Sequence, residues 1–145
     1  MKLPVEIMVT NKRLDYRDMN ITGDIPEPRE STDSYTGYMV VKGKRISIDY
    51  SEDYDDGERL DTSVMINDGV ALISRRGDIN TNLVFRAGQS CDCICDNGYR
   101  QMSLRVNTKK MSSDIGPLGG KLKIDYTIEI MGNLAEKNSI CVSVC

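Results

Sequence analysis

The sequence predicts an all-β protein in which an antiparallel meander of about eight to ten strands closes into a single barrel. Three observations predict this fold. Apolar and polar residues alternate in many segments, which is the pattern of strands with one buried face. Short turn sequences rich in glycine, asparagine and aspartate separate these segments. No segment keeps apolar residues at helical spacing over three turns, so no helix is predicted.

The alternation can be followed along the chain. Residues alternate after the proline in the N-terminal segment MKLPVEIMV, and the segment RISIDYSE places Ile46, Ile48 and Tyr50 on one face. The clearest alternation lies in residues 121–130, where every second residue is large and apolar. The residues predicted to face inward in the later strands are Leu60, Thr62, Val64, Ile66, Ile79, Thr81, Leu83, Phe85, Ala87, Met102, Leu104, Val106, Leu122, Ile124, Tyr126, Ile128, Ile130, Ile140, Val142 and Val144.

Tight turns separate these strands and favour a meander over other β architectures. Glycine, often after asparagine or aspartate, supplies the positive φ angles that hairpins need. A long open meander would leave two exposed edges, and closure into a barrel removes them. A two-sheet sandwich is the alternative, although sandwiches use longer crossing connections. The predicted turns lie at residues 42–44, 55–57, 67–69, 76–78 and 97–98.

The length of 145 residues suits one domain, which we place at residues 1–145. Two segments interrupt the alternation. Residues 15–33 are polar and acidic and contain two prolines, so they are predicted to form a long loop after the first strand. Residues 111–119 are predicted to form a second loop around Gly116 and Pro117.

Composition argues against several functions. The net charge is −3 without a basic stripe, so neither nucleic acid nor a membrane surface is predicted as a partner. The chain has no histidine, which excludes Ser-His-Asp and Cys-His catalysis and imidazole zinc sites. The N-terminus is too short and polar for a signal peptide, and a cytoplasmic location is expected. The five cysteines are then expected to be free thiols.

The segment CDCIC, residues 91–95, carries three thiols at alternate positions. On a strand these side chains share one face about 7 Å apart, whereas the sulfurs of a zinc site lie within about 4 Å of each other. We therefore predict a strand with inward thiols and no metal or other cofactor. A zinc or copper site is the weaker alternative, built from Cys91, Cys93 and Cys95 together with Cys141 and Cys145.

A few polar and aromatic residues share the inward face and form the predicted ligand site. Glu52 lies on the face of Tyr50, and a buried carboxylate needs a partner. Arg75, on the face of Ala71 and Ile73, is a candidate partner, unless both charges lie in water at strand ends. The predicted wall of the site consists of Tyr38, Tyr50, Phe85, Met102 and Tyr126.

The order of motifs resembles a known family. Thr36-Gly37-Tyr38 is followed by ISIDYSE, ISRRG, an NG turn, RVNT and GGKLKIDYTIEIMG. This order is similar to the YwiB-like family of small bacterial proteins, a domain of unknown function, over residues 5–144. The resemblance implies a calycin-like (lipocalin-like) barrel in a bacterial cytosol and no established activity. Cys93 and Cys95 depart from the family pattern, which has an aromatic residue and a threonine there, and the loop at 15–33 is longer.

Three functions are compatible with such a barrel. The first hypothesis is a binding module that holds one small, mostly apolar molecule inside the barrel. The second is an interaction protein with a filled core, whose outer face docks a partner protein or a second copy of the chain. The third is an enzyme that works through Glu52 or a thiolate, and it ranks last.

Overall fold

The computed structural model describes residues 2–16, 27–53, 57–96 and 98–145, and it forms ten antiparallel strands. No helix among the described residues is long and apolar enough to cross a membrane. In chain order the strands are β1 (Lys2–Asp15), β2 (Arg29–Lys42), β3 (Arg45–Asp53), β4 (Arg59–Asn67), β5 (Val70–Arg76), β6 (Asn80–Arg86), β7 (Ser90–Asp96), β8 (Gln101–Ser113), β9 (Gly120–Ile130) and β10 (Asn133–Val144).

The ten strands form a closed barrel, as predicted. Each strand pairs with the next in sequence, and β1 closes the ring by pairing with both β2 and β10. The closing pair is long, with Ile7 opposite Val144 and Asp15 opposite Glu136. Closure gives every strand two hydrogen-bonded neighbours, so no edge strand remains among the described residues. The predicted meander barrel is therefore confirmed, and the sandwich is not formed.

The core fills most of the barrel interior and follows the alternation in the sequence. In β9 every second residue from Leu122 to Ile128 is buried, while Lys121, Lys123 and Asp125 are exposed. Side chains from opposite walls meet in the centre and exclude water, which stabilises the fold by the hydrophobic effect. The largest fully buried side chains are Ile7, Met39, Ile48, Val64, Phe85, Val106, Leu122, Ile124 and Val142.

The prediction that residues 15–33 form a loop is wrong for the last residues of that range. Strand β2 begins at Arg29, and its first residues pair with β1, with Arg13 opposite Arg29 and Val9 opposite Asp33. Residues 29–34 are all exposed and polar, so their strand structure comes from pairing with β1 and leaves no alternation to detect. Residues 17–26 of the predicted loop lie outside the described part of the chain.

The second predicted loop is also shorter than expected. Strand β8 continues to Ser113, so only residues 114–119 connect it to β9. Gly116 and Gly119 close this connection with two backbone hydrogen bonds. At the β4–β5 turn, Asp68 and Gly69 have φ angles of 48° and 80°, which is the backbone of a two-residue hairpin turn. The predicted turns at 55–57 and 97–98 fall partly on residues outside the described ranges.

Two irregularities in the ladders affect the site described below. The register of β8 against β9 shifts between Thr108 and Lys110, and that of β10 against β9 shifts between Leu134 and Glu136. A β-bulge inserts one residue and changes which side chains face inward. After the second shift, Glu136 and Asn138 share the inward face of β10 with Ile140.

Candidate functional site

The barrel encloses a cavity of about 430 Å³ at one end of the core. Its lining is mixed, because aliphatic side chains from β4 to β10 meet a group of charged and amide side chains. The polar side chains distinguish this cavity from an ordinary packing defect, because buried polar groups are costly unless they are hydrogen-bonded. They are Asn11, Arg13, Arg75, Thr81, Tyr126, Glu136 and Asn138.

One wall of the cavity contains Arg75, Thr81, Cys95 and Met102, which belong to a longer row of cross-strand neighbours. Residues directly opposite in antiparallel strands project from the same face. The register places Arg75 opposite both Thr62 of β4 and Thr81 of β6, so the row continues in both directions around the barrel. We call it the Arg75 row, and it consists of Gly37, Tyr50, Thr62, Arg75, Thr81, Cys95 and Met102.

A second row forms the opposite wall. Arg13 of β1 pairs with Asn138 of β10, and Asn138 pairs with Tyr126 of β9. Tyr126 in turn lies opposite Thr108 of β8. We call these four residues the Asn138 row. The two rows bring one arginine from each wall to the same cavity.

Asn138 is almost completely buried, and the part of the chain that the structure describes offers its side chain no partner. Its exposed fraction is only 4%, and neither its amide nitrogen nor its amide oxygen has a hydrogen-bond partner among the described residues. The side-chain oxygen of Asn11, which also lines the cavity, is buried without a partner as well. Leaving buried polar atoms unpaired costs about 1–3 kcal/mol each, so these amides favour a polar group in the cavity.

The two arginines of the cavity differ in their partners. The Nε atom of Arg13 lies 2.9 Å from Oε1 of Glu136, and the Glu136 side chain is only 12% exposed. Arg75 is half-buried, and it makes no hydrogen bond or ion pair with any residue that the structure describes. Burial raises the pKa of the phenols of Tyr50 and Tyr126, and the positive charge of Arg75 opposes this rise at both. Of the two cations in the cavity, Arg75 is therefore the one without a carboxylate partner within the described ranges.

Aromatic side chains support the polar end. The ring of Phe85, which is 0% exposed, meets the ring of Tyr126 edge-on at 4.7 Å between centroids. Burial raises the pKa of Tyr126 to about 12. Across the barrel, Tyr35 and Tyr50 stack at 4.6 Å, and burial raises the pKa of each phenol. Tyr35 also hydrogen-bonds the carboxylate of Glu52, which raises its pKa further.

Tyr38 does not belong to the barrel interior, so this prediction is wrong. Its ring is 48% exposed on the outer surface, where the ammonium of Lys2 lies 4.4 Å from the ring centroid. The inward residues of β2 are Tyr35, Gly37 and Met39. The sequence YTGYMV has aromatic residues on both faces, so its alternation does not identify the inward one.

The other predicted wall residues lie inside the barrel but not all in one place. Tyr126, Arg75 and Met102 line the cavity, Met102 at its rim with 38% exposure. Phe85 and Tyr50 are buried beside it. Glu52 lies beside Tyr35, and Arg75 makes no ion pair with it.

Asn11, Arg13, Glu136 and Asn138 were not predicted from the sequence. Asn11 and Arg13 follow the alternation of Val5, Ile7 and Val9, which was the available signal for β1. In β10, Asn138 lies two residues before Ile140 in the same alternation. Polar residues at inward positions are usually taken as the end of a strand, and here they mark the site.

The three thiols of residues 91–95 face inward, as predicted. Cys93 is buried, while Cys91 and Cys95 are half-buried and pack against the core. The backbone amide of Val84 donates to the Cys93 sulfur at 3.5 Å. Burial raises the pKa of the Cys93 thiol.

The alternative metal site has no common location for its ligands. Cys141 alternates with the inward residues Ile140 and Val142, so it projects from the outer face of β10. Cys145 follows β10 and is exposed. Within the described ranges no three histidine, cysteine or acidic residues are arranged to hold a metal ion.

A groove of about 630 Å³ lies along β1, β8, β9 and β10, and Tyr126 and Asn138 line both this groove and the cavity. Four lysines from three strands converge there, although the protein carries a net negative charge. Asp125 lies among them and accepts a hydrogen bond from Ser139. The sequence shows no basic stripe because Lys12, Lys137 and the Lys109–Lys110 pair are distant in the chain. We call this surface the lysine groove, and its lysines are Lys12, Lys109, Lys110 and Lys137.

The chain matches a family model over residues 19–142, described as a domain of unknown function, DUF1934. It is 27% identical over 95 residues to the uncharacterized β-barrel protein YwiB of Bacillus subtilis (strain 168). That alignment covers 66% of this chain and 66% of the relative, so the chain spans slightly less than two thirds of that protein's length.

The fold has a counterpart among solved structures. The crystal structure of the ywiB protein from Bacillus subtilis superposes with a TM-score of 0.81 at 20% identity. The superposition covers 99% of this chain and 91% of the other. The family model spans most of the strands, including both rows that line the cavity except for Arg13. This ten-stranded barrel protein therefore belongs to the DUF1934 family.

Proposed function

We propose that the protein is a binding module that holds one small molecule in the barrel cavity. The observation that carries this proposal is Asn138, whose buried amide lines the cavity without a partner among the described residues. A group retained at that cost in a core is expected to serve a ligand, because a leucine of similar size would pack there without penalty.

The size and lining of the cavity support the same proposal. Its volume of about 430 Å³ lies in the range of small-molecule sites, which is about 300–1,000 Å³. Leucine and isoleucine side chains supply much of its lining, and the charged and amide groups lie among them. The expected ligand therefore has an apolar body and one polar end, rather than being apolar throughout.

Native mass spectrometry of protein purified from its own cells tests the proposal. We expect one bound molecule per chain. Leu83→Trp should remove the adduct by filling the cavity, whereas Ile94→Trp, on the exposed outer face of β7, should retain it. A bare mass for the wild type, together with no binding of any amphiphile described below, would contradict the proposal.

A second candidate function is the docking of an acidic protein surface in the lysine groove. It is favoured by the convergence of four lysines on a protein of net charge −3. Polyglutamate binding measured at low salt tests it. The double substitution Lys109→Glu and Lys110→Glu should abolish the binding, while Lys44→Glu, in the β2–β3 turn, should not. Equal binding by both variants would refute this function.

A further inference from the structure

We propose that the cavity selects ligands with an anionic group, a carboxylate on an apolar body, and that Arg75 is the residue that binds this group. This inference rests on the proposed function, because it names the chemical class of the molecule in the same cavity. The two walls of the cavity bring together Arg13, Arg75 and Glu136.

The charge balance of the cavity favours an anion. Its lining carries two arginines and one carboxylate. Glu136 is held by Arg13 at 2.9 Å, so it already has a cationic partner. Arg75 has no ion pair among the described residues, which leaves one positive charge in a partly buried site. Such a charge is costly unless an anion compensates it.

The hydrogen-bonding groups around Arg75 suit a carboxylate. An arginine guanidinium offers two parallel N–H donors that match the two oxygens of a carboxylate. The amide nitrogen of Asn138 is a further buried donor without a partner in the same cavity. An ammonium ligand would be repelled by the charge of Arg75, although the amide oxygens of Asn11 and Asn138 and the carboxylate of Glu136 are acceptors in the lining.

The apolar part of the cavity determines the remainder of the molecule. Ile73, Leu83, Leu104, Ile128 and Ile140 also line it, with Ile128 opposite Glu136 and Ile140 opposite Asn11. A straight alkyl chain would cover these side chains while its end group lies at Arg75. A medium-length fatty acid such as decanoate is therefore a suitable probe, and it has neutral and cationic counterparts of the same length.

Isothermal titration with decanoate, 1-decanol and decylamine tests the inference. Decanoate should bind about tenfold to a hundredfold more tightly than decanol, which is the effect of a hydrogen-bonded charge pair. Decylamine should bind most weakly. Arg75→Gln should reduce the affinity for decanoate to that for decanol, and Arg75→Lys should recover part of the difference. Arg76→Gln, the exposed neighbour on β5, should leave all three affinities unchanged.

The outcomes separate this inference from the proposed function. Equal binding of decanoate and decanol, unchanged in Arg75→Gln, would overturn the anionic selectivity and leave the binding cavity standing. A preference for decanoate that disappears in Lys109→Glu and Lys110→Glu, and not in Arg75→Gln, would place the anion in the lysine groove and would also overturn the inference. Binding of none of the three probes, with a bare native mass, would overturn the proposed function itself.

Discussion

Asn138 provides the sharpest prediction, because buried amides are normally hydrogen-bonded and this one has no partner among the described residues. Replacing it with leucine removes two buried polar atoms that have no partner among the described residues. Leucine has a similar volume and would extend the apolar lining formed by Ile128 and Ile140. We therefore expect Asn138→Leu to stabilise the protein and to abolish ligand binding together.

The magnitude follows from the cost of burying an amide. An unpaired buried amide costs about 1–3 kcal/mol in proteins. Asn138 borders a cavity rather than a fully packed core, so we expect the lower part of this range, about 1–2 kcal/mol. For 145 residues the unfolding entropy at Tm is about 0.3 kcal/mol/K. A gain of 1–2 kcal/mol therefore raises Tm by about 3–7 °C.

Thermal and urea unfolding of the ligand-free protein measure this effect. Asn107→Leu is the matched control, because Asn107 bonds Ser90 and its amide nitrogen donates to Thr127 at 3.3 Å. Losing these bonds should lower stability by about 0.5–1.5 kcal/mol. If Asn138→Leu lowers Tm as Asn107→Leu does, the reasoning about an unpaired amide is refuted.

Three further predictions concern the walls of the barrel. Gly37→Ala should destabilise the protein by about 1–3 kcal/mol or more in urea unfolding, because its Cβ would lie 2.1 Å from the carbonyl oxygen of Asp49. Gly116→Ala, where an added Cβ meets no atom within 4 Å, should change stability by less than about 0.5 kcal/mol, and equal losses would contradict this account. Tyr126 has its pKa raised from 10.0 to about 12, so its contribution is present below pH 10 and lost as pH rises toward 12. Between about pH 9 and pH 11 the wild type should lose about 1 kcal/mol more than Tyr126→Phe in urea unfolding, and parallel losses would refute the shift. Exposed Cys145 should react with a thiol reagent well before buried Cys93, whose pKa is raised by burial, as followed by mass spectrometry. Similar reaction rates would show that the Cys93 side chain does not point into the barrel.

The fold was predictable because the inward face repeats every second residue on strand after strand. Ile124 and Ile128 of β9 alternate with charged neighbours, so their burial follows from the sequence. The start of β2 could not be predicted in this way. Its first residues are exposed on both faces and are held by hydrogen bonds to β1 rather than by burial.

The site was predictable only where a polar residue lies within a strong alternation. Arg75 follows Ala71 and Ile73 in β5, so its inward direction was evident. Its lack of a carboxylate partner depends on how the strands close, as does the approach of Arg13 to Glu136 across β1 and β10. Pairing between the two ends of the chain leaves no local signal in the sequence.

The central claim is that a charged and amide-lined cavity inside the closed barrel binds an anionic ligand. Nitrogen-edited NMR of the labelled protein, titrated with decanoate, tests it most directly. We predict that the side-chain signals of Asn138 and Arg75 shift to saturation at one ligand per chain, while those of exposed Arg76 and Asn82 remain. Because Asn138 also lines the lysine groove, a saturable shift at Asn138 without one at Arg75, or no saturable shift at either, would contradict the account.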